Sequence, residues 1–147
     1  MRTVLLPGLG EVPVGKILGI GTNYASHAKE MGSPVGGDPV VFLKPSTALC
    51  SDGAVVRPPG PGHEMHHEVE LVVAIGRTGL RIPFEKALDH VAAYAVGLDL
   101  TLRDLQLAAK QKGRPWALAK GFDASAPVSA FRAAREVGDP QNLALTL

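Results

Sequence analysis

His66-His67-Glu68-Val69-Glu70-Leu71-Val72-Val73-Ala74-Ile75, closed by Gly76, is the stretch that decides how the chain is read. The β-branched run after Glu68 favours a strand. Side chains alternate across a strand, so Glu68 and Glu70 share one face, while Val69, Leu71, Val73 and Ile75 share the other. The apolar face asks for burial. The acidic face starts with two carboxylates roughly 7 Å apart along the strand. Two like charges that close repel unless a cation or a proton sits between them. Oxygen-only ligands favour Mg²⁺, Mn²⁺ or Ca²⁺ over zinc. The pair is therefore a candidate metal site, to be weighed against two glutamates on a solvated strand end.

A second motif overlaps the first. His63-Glu64-Met65-His66-His67 has the H-E-x-x-H spacing of zinc peptidases. That chemistry needs both histidines on one helical face. Here Pro58-Pro59-Gly60-Pro61-Gly62 precedes the motif and a strand follows it. A helix confined to a single turn is poorly stable, so the zinc reading is rejected.

Working outward, the chain has 147 residues, enough for one domain with a real core. The net charge of +1 suggests no nucleic-acid partner and no membrane-surface binding. The lone Cys50 cannot form an internal disulfide and fits a reducing cytoplasm, where it reads as a small buried hydrophobe. Pro7 and Gly8 break up the first residues, leaving no signal peptide, and no apolar run reaches membrane-span length.

Upstream, Lys16–Gly21 reads as a buried strand. Asn23 is placed to cap a helix over 24–31, on which His27 and Glu30 face the same way. Val40–Lys44 is a strand ended by Pro45. Downstream, Pro83 and the spacing of Phe84, Ala87, Leu88 and Val91 predict a helix. Tyr94–Asp99 is a strand with Asp99 at its carboxyl end. Thr101 and Asp104 form a capping-box signature for a helix through Lys112. The last run, Asn142–Leu147, reads as a strand interrupted at Leu147. Strands alternating with short helices give an α+β, β-rich fold.

Five segments together resemble the fumarylacetoacetate hydrolase family, in its acylpyruvase and fumarylpyruvate hydrolase branch. They are Gly21–Met31, Phe42–Ala48, His66–Leu71, Tyr94–Gln106 and Pro115–Asp123. The resemblance implies a mixed β-roll with short flanking helices, a single catalytic domain over residues 1–147, and a homodimer. It implies that Glu68, Glu70 and Asp99 hold Mg²⁺ or Mn²⁺, and that His27 and Glu30 form a water-activating pair. Lys120 would stabilise enolate charge, and Gln106, Lys44 and Asn23 would line the substrate site. Arg103 and Asp104 read as structural, pairing or capping nearby.

The activity implied is metal-dependent hydrolysis of a carbon–carbon bond in a 3-acylpyruvate, a small 2-oxo acid, to pyruvate and a carboxylic acid. Oxaloacetate decarboxylation or 2-oxo-ene isomerisation would use the same site, and a non-catalytic remnant is a further alternative. The family's Thr-Gly-Thr-Pro-Gly-type loop is missing here, so the roll is expected to be C-terminally incomplete.

Overall fold

The computed structural model describes residues 2–21 and 38–147. Two short ribbons come first. Strands β1 (Thr3–Leu6) and β2 (Gly10–Pro13) form a tight hairpin, with Gly8 and Gly10 at positive φ in and beside the turn. Strands β3 (Lys16–Gly21) and β4 (Val40–Pro45) pair antiparallel from Lys16↔Pro45 to Gly21↔Val40. Their register sorts the side chains by face. Gly19 and Phe42 turn inward with Lys44. Leu18, Leu43, Ile20 and Val41 form an exposed apolar outer face.

A 3₁₀ turn (Ser46–Ala48) leads to β5 (Leu49–Ser51). The long strands β6 (Met65–Ile75) and β7 (Val91–Leu102) pair in a five-stranded sheet in which β7 is central and β6 lies at the end of the strand order. Helix α1 (Arg103–Gln111) starts directly at the end of β7, and α2 (Ala117–Lys120) follows it. Strand β8 (Ala126–Val128) lies between β5, its parallel partner, and β7, its antiparallel one. Strand β9 (Arg132–Ala133) adds to β7, and the short helix α3 (Ala134–Val137) follows. The core gathers around β7: Ala93, Tyr94, Ala95, Leu100 and Leu102 are all buried. Burying Leu102 fully contributes roughly 1.5–3 kcal/mol.

Several expectations need correction. The apolar face of β6 is only partly covered: Val69 and Leu71 are half-buried, but Val73 and Ile75 are exposed. The predicted helix after Pro83 is a 3₁₀ segment, Phe84–His90, with Phe84 and Leu88 exposed. With no apolar surface beneath it, that spacing has nothing to pack against. Thr101 does not cap α1. Leu102 takes the cap position, and the Thr101 hydroxyl bonds the carbonyl of Asp99 instead. The strand expected at Asn142–Leu147 is a 3₁₀ turn, Pro140–Asn142, followed by irregular chain. Cys50 is half-buried rather than buried. The helix expected over 24–31 lies outside the described residues.

Candidate functional site

The β6–β7 register builds the floor of the site. Glu68 is the direct partner of Asp99, and Glu70 is the partner of Gly97. Partners across a ladder share a face, with Cβ atoms about 4.5–5.5 Å apart. Glu68, Glu70 and Asp99 therefore lie on one face. The residue opposite Glu70 brings no side chain. Gly97 also cannot acquire one cheaply: a Cβ there would stand 2.6 Å from the Val72 side chain and 3.2 Å from the Pro127 carbonyl.

Three cations converge on the two facing carboxylates. The Lys120 ammonium, carried at the end of α2, donates to Glu68 Oε2 at 2.7 Å and to Asp99 Oδ2 at 2.5 Å. Arg103, the first residue of α1, donates through Nη2 to Glu68 Oε1 and through Nη1 to Gln106 Oε1, one helical turn on. Lys44 reaches Asp99 from the β4 side, with Nζ 2.8 Å from Oδ1. Burial pushes the Glu68 carboxyl up. Lys120 and Arg103 outweigh that effect and leave it below the usual carboxylate range.

Lys44 itself is buried, and burial pulls its ammonium below the ordinary lysine value, with Asp99 opposing. Its Nζ lies 3.2 Å from the Leu100 carbonyl and 3.1 Å from both the carbonyl and the hydroxyl of Ser125. The Lys120 carbonyl accepts from it as well. An ammonium has three protons, and these acceptors outnumber them. Asp99 Oδ1 is thus paired with Lys44 by charge but accepts no aligned hydrogen bond, although it is buried.

The surroundings fix these groups. Phe42 lies 4.9 Å beneath Lys120 Nζ and tilts against Trp116, with ring centroids 5.8 Å apart. Gly19 makes room for that ring: a Cβ on it would stand 2.2 Å from the Phe42 edge. On the other side, Asp104 ties the segment before β6 to α1. Its carboxylate meets His63 Nδ1 at 2.9 Å and accepts from the Glu64 amide at 3.2 Å. The His63 bond is the main reason the Asp104 carboxyl is held low. Residues Met65–His67 are strand, so His63–His67 cannot present a helical zinc pair. His66 instead accepts from Arg103 Nε at 3.4 Å and pairs through Nε2 with Glu64 at 2.7 Å.

The structure thus brings Glu68, Asp99, Lys120, Gln106 and Lys44 into one cluster, with Glu70 two residues along the same face. The expected lining role of Lys44 does not match its position, because its protons are spent on internal oxygens. His27, Glu30 and Asn23 lie outside the described residues. Sequence reasoning missed Ser125, whose buried hydroxyl links Lys44 to the Lys120 carbonyl. It also missed Phe42 as the platform under Lys120. No local pattern marks either one.

A hard divalent cation fits the donor chemistry. The set is all carboxylate oxygen, two of its members face each other, and Asp99 keeps a buried oxygen without an aligned donor. The donors are not gathered on one point, however. Among the described residues, no three acid, histidine or cysteine groups converge as a metal cluster, and it is Lys120 that bridges Glu68 and Asp99. Elsewhere, a groove of about 560 Å³ beside β1, β5 and β8 includes Cys50. Burial pushes that thiol up, away from nucleophilic character.

The site is thus a β6–β7 floor carrying facing carboxylates, with α1 and α2 delivering Arg103, Gln106 and Lys120 above it. Residues 16–147 match the fumarylacetoacetate hydrolase C-terminal family, and the chain belongs to that family. It is 50% identical over 131 residues to the mitochondrial oxaloacetate tautomerase FAHD1 of Rattus norvegicus, covering 89% of this chain and 59% of that protein. It is 49% identical over 138 residues to the oxaloacetate tautomerase YcgM of Escherichia coli, covering 93% and 63%. The fold is shared with fumarylpyruvate hydrolase from Pseudomonas aeruginosa, solved with Mn²⁺ and pyruvate. The TM-score is 0.84 and the identity 41%, covering 95% of this chain and 63% of that one. The chain therefore spans about three-fifths of the length of these relatives. Among the described residues, no helix is long and apolar enough to cross a membrane.

Proposed function

We propose that this site stabilises the enolate of a small 2-oxo acid and that its reaction is hydrolytic cleavage of a carbon–carbon bond in a 3-acylpyruvate. The observation that carries the reading is the buried Lys120 ammonium set between two facing carboxylates, Glu68 and Asp99. Bound by Glu68, Glu70 and Asp99, a divalent cation such as Mg²⁺ or Mn²⁺ would supply Lewis acidity to a chelating 2-oxo acid. Lys120 donates a hydrogen bond to the oxygen on which enolate charge develops, a preorganised contact in a site of low dielectric. Arg103 holds Gln106 by its carbonyl oxygen, which leaves the amide NH₂ to donate to a substrate carboxylate.

His27, steadied by Glu30, takes a proton from water as the water oxygen bonds to the distal carbonyl carbon. The carbon–carbon bond then breaks, and its electron pair passes into the pyruvate enolate. Protonation at carbon gives pyruvate, and the acyl group leaves as a carboxylic acid. Mn²⁺ and pyruvate in the fumarylpyruvate hydrolase structure support this reading. The homodimer implied by the resemblance belongs to the same proposal.

A second reading is enol–keto interconversion or decarboxylation of oxaloacetate. The names of the curated relatives at 49–50% identity favour it. It needs the same enolate stabilisation and no attacking water. A panel of acetylpyruvate, fumarylpyruvate and oxaloacetate with Mn²⁺ separates the two. Pyruvate release from an acylpyruvate supports hydrolysis. Loss of the oxaloacetate enol absorbance without turnover of acylpyruvates supports the second reading. Metal-dependent turnover that survives Glu70→Ala sinks both.

A further inference from the structure

The buried Lys44 is not needed for any step above, yet its side chain is as deeply enclosed as that of Lys120. Its Nζ faces the carbonyls of Leu100, Lys120 and Ser125, the Ser125 hydroxyl and Asp99 Oδ1, with the Phe122 ring 5.9 Å away. Four neutral oxygens and one anionic oxygen around a single positive charge are the surroundings of a small monovalent cation. The difference is that a four-carbon stem anchors this one to β4.

The contacts are also unequal in consequence. The backbone carbonyls belong to the end of β7, to the last residue of α2 and to the turn before β8, and they have fixed places. Of the two side-chain partners, the Ser125 hydroxyl is itself tied to the Lys120 carbonyl, which leaves the Asp99 carboxylate as the charged partner that can rotate. Attraction to Lys44 holds Oδ1 on the β4 side, and that leaves Oδ2 directed to the Glu68 side, where Lys120 meets both.

We propose that Lys44 is a positioning residue: a tethered cation that fixes the Asp99 carboxylate with Oδ2 presented toward Glu68. The inference rests on the reading of Asp99 as a metal carboxylate. Groups that orient a ligand from behind typically change metal affinity by 10–100-fold when lost. Lys44 also has a property that ordinary packing residues lack. A free alkylammonium ion can replace its charge if the stem is cut away.

The test measures free Mn²⁺ by electron paramagnetic resonance over solutions of the wild type, Lys44→Met and Lys44→Ala. Lys44→Met keeps the volume of the side chain and removes the charge, so it separates position from packing. Both variants are expected to bind Mn²⁺ about 10–100-fold more weakly. Adding n-propylammonium is expected to restore most of the affinity of Lys44→Ala and none of that of Lys44→Met, whose cavity is filled. n-Propanol is expected to restore neither.

Wild-type affinity in Lys44→Met, or a folded Lys44→Ala that propylammonium leaves unimproved, would overturn the proposal. If Lys44→Ala is unfolded alone, recovery of its far-ultraviolet dichroism by propylammonium supports the tethered cation, and no recovery overturns it. A wild type that binds no Mn²⁺ defeats the proposed function instead. Lys44 is then judged by a thermal unfolding cycle with Asp99→Asn. A double variant less destabilised than the sum of the two single ones supports the pairing, and additive losses overturn it.

Discussion

Asp99 stands between two lysines that differ in almost everything except burial. Lys44, behind it, is held mostly by backbone carbonyls whose positions the sheet and α2 dictate. Lys120, before it, is held by side-chain carboxylates over an aromatic ring. Backbone oxygens cannot turn away when chemistry changes, whereas carboxylates can. The pair thus teaches a division of labour: one cation is built into the scaffold, and the other is the one the proposed function assigns to a reacting oxygen. A buried charge costs several kcal/mol in desolvation, so both positions depend on their partners being complete.

The strongest way to break the comparison is to remove each cation in turn. Lys44→Met strands the buried Oδ1 of Asp99 and a set of inward carbonyls, and should lower stability by about 3–5 kcal/mol, read as a shift of the urea unfolding midpoint. Lys120→Met should cost less stability, because Arg103 still pairs Glu68 and Lys44 still pairs Asp99. Its turnover should nonetheless fall about 10²–10³-fold under saturating substrate, as when one oxyanion donor is lost. Equal stability losses for the two variants would erase the distinction.

A smaller effect sharpens it. Gly19→Ala forces the Phe42 ring aside and should cost about 1–3 kcal/mol by overpacking. Because Phe42 supports Lys120, turnover should drop with it, and turnover unchanged despite the stability loss would remove the ring from the account.

The smallest effect is on acid stability. Glu68 has a folded pKa below its ordinary value near 4.5, so below that value the unfolded chain binds more protons. Its contribution is present above about pH 4.5 and fades as pH falls through the lower folded value. Glu68→Gln should flatten the acid limb of thermal stability over that window, and an unaltered limb would show the cations do not hold this carboxyl.

How much of this was legible depended on whether a feature is local. The alternation from Glu68 to Ile75 and the strand ending near Asp99 follow from period-two patterning, and both strands are present, longer than their apolar cores suggest. The helix through Lys112 is visible in its spacing. Its cap is not, because Asp104 is claimed by His63 and Glu64 from forty positions upstream. The segment at Phe84 has helical spacing but no apolar neighbour to reward it. The pairing of Glu68 with Asp99 is a matter of register, which no single strand encodes. The interior position of Lys44 was least legible of all. The resemblance implies a substrate-lining Lys44, and only the meeting of β4, β7 and the residue 120–125 turn shows its ammonium turned onto internal oxygens.

That meeting has a kinetic side. The contacts of Lys44 with Leu100, Lys120 and Ser125 join residues 56, 76 and 81 positions apart. The β6–β7 ladder closes over a far shorter connection, from Ile75 to Val91. Contacts that close long loops form late, since the chain must give up more freedom before they repay it. In refolding, the β6–β7 ladder should therefore be in place well before the lysine reaches its cage. The clasp that aims Asp99 is among the last parts of the molecule to assemble.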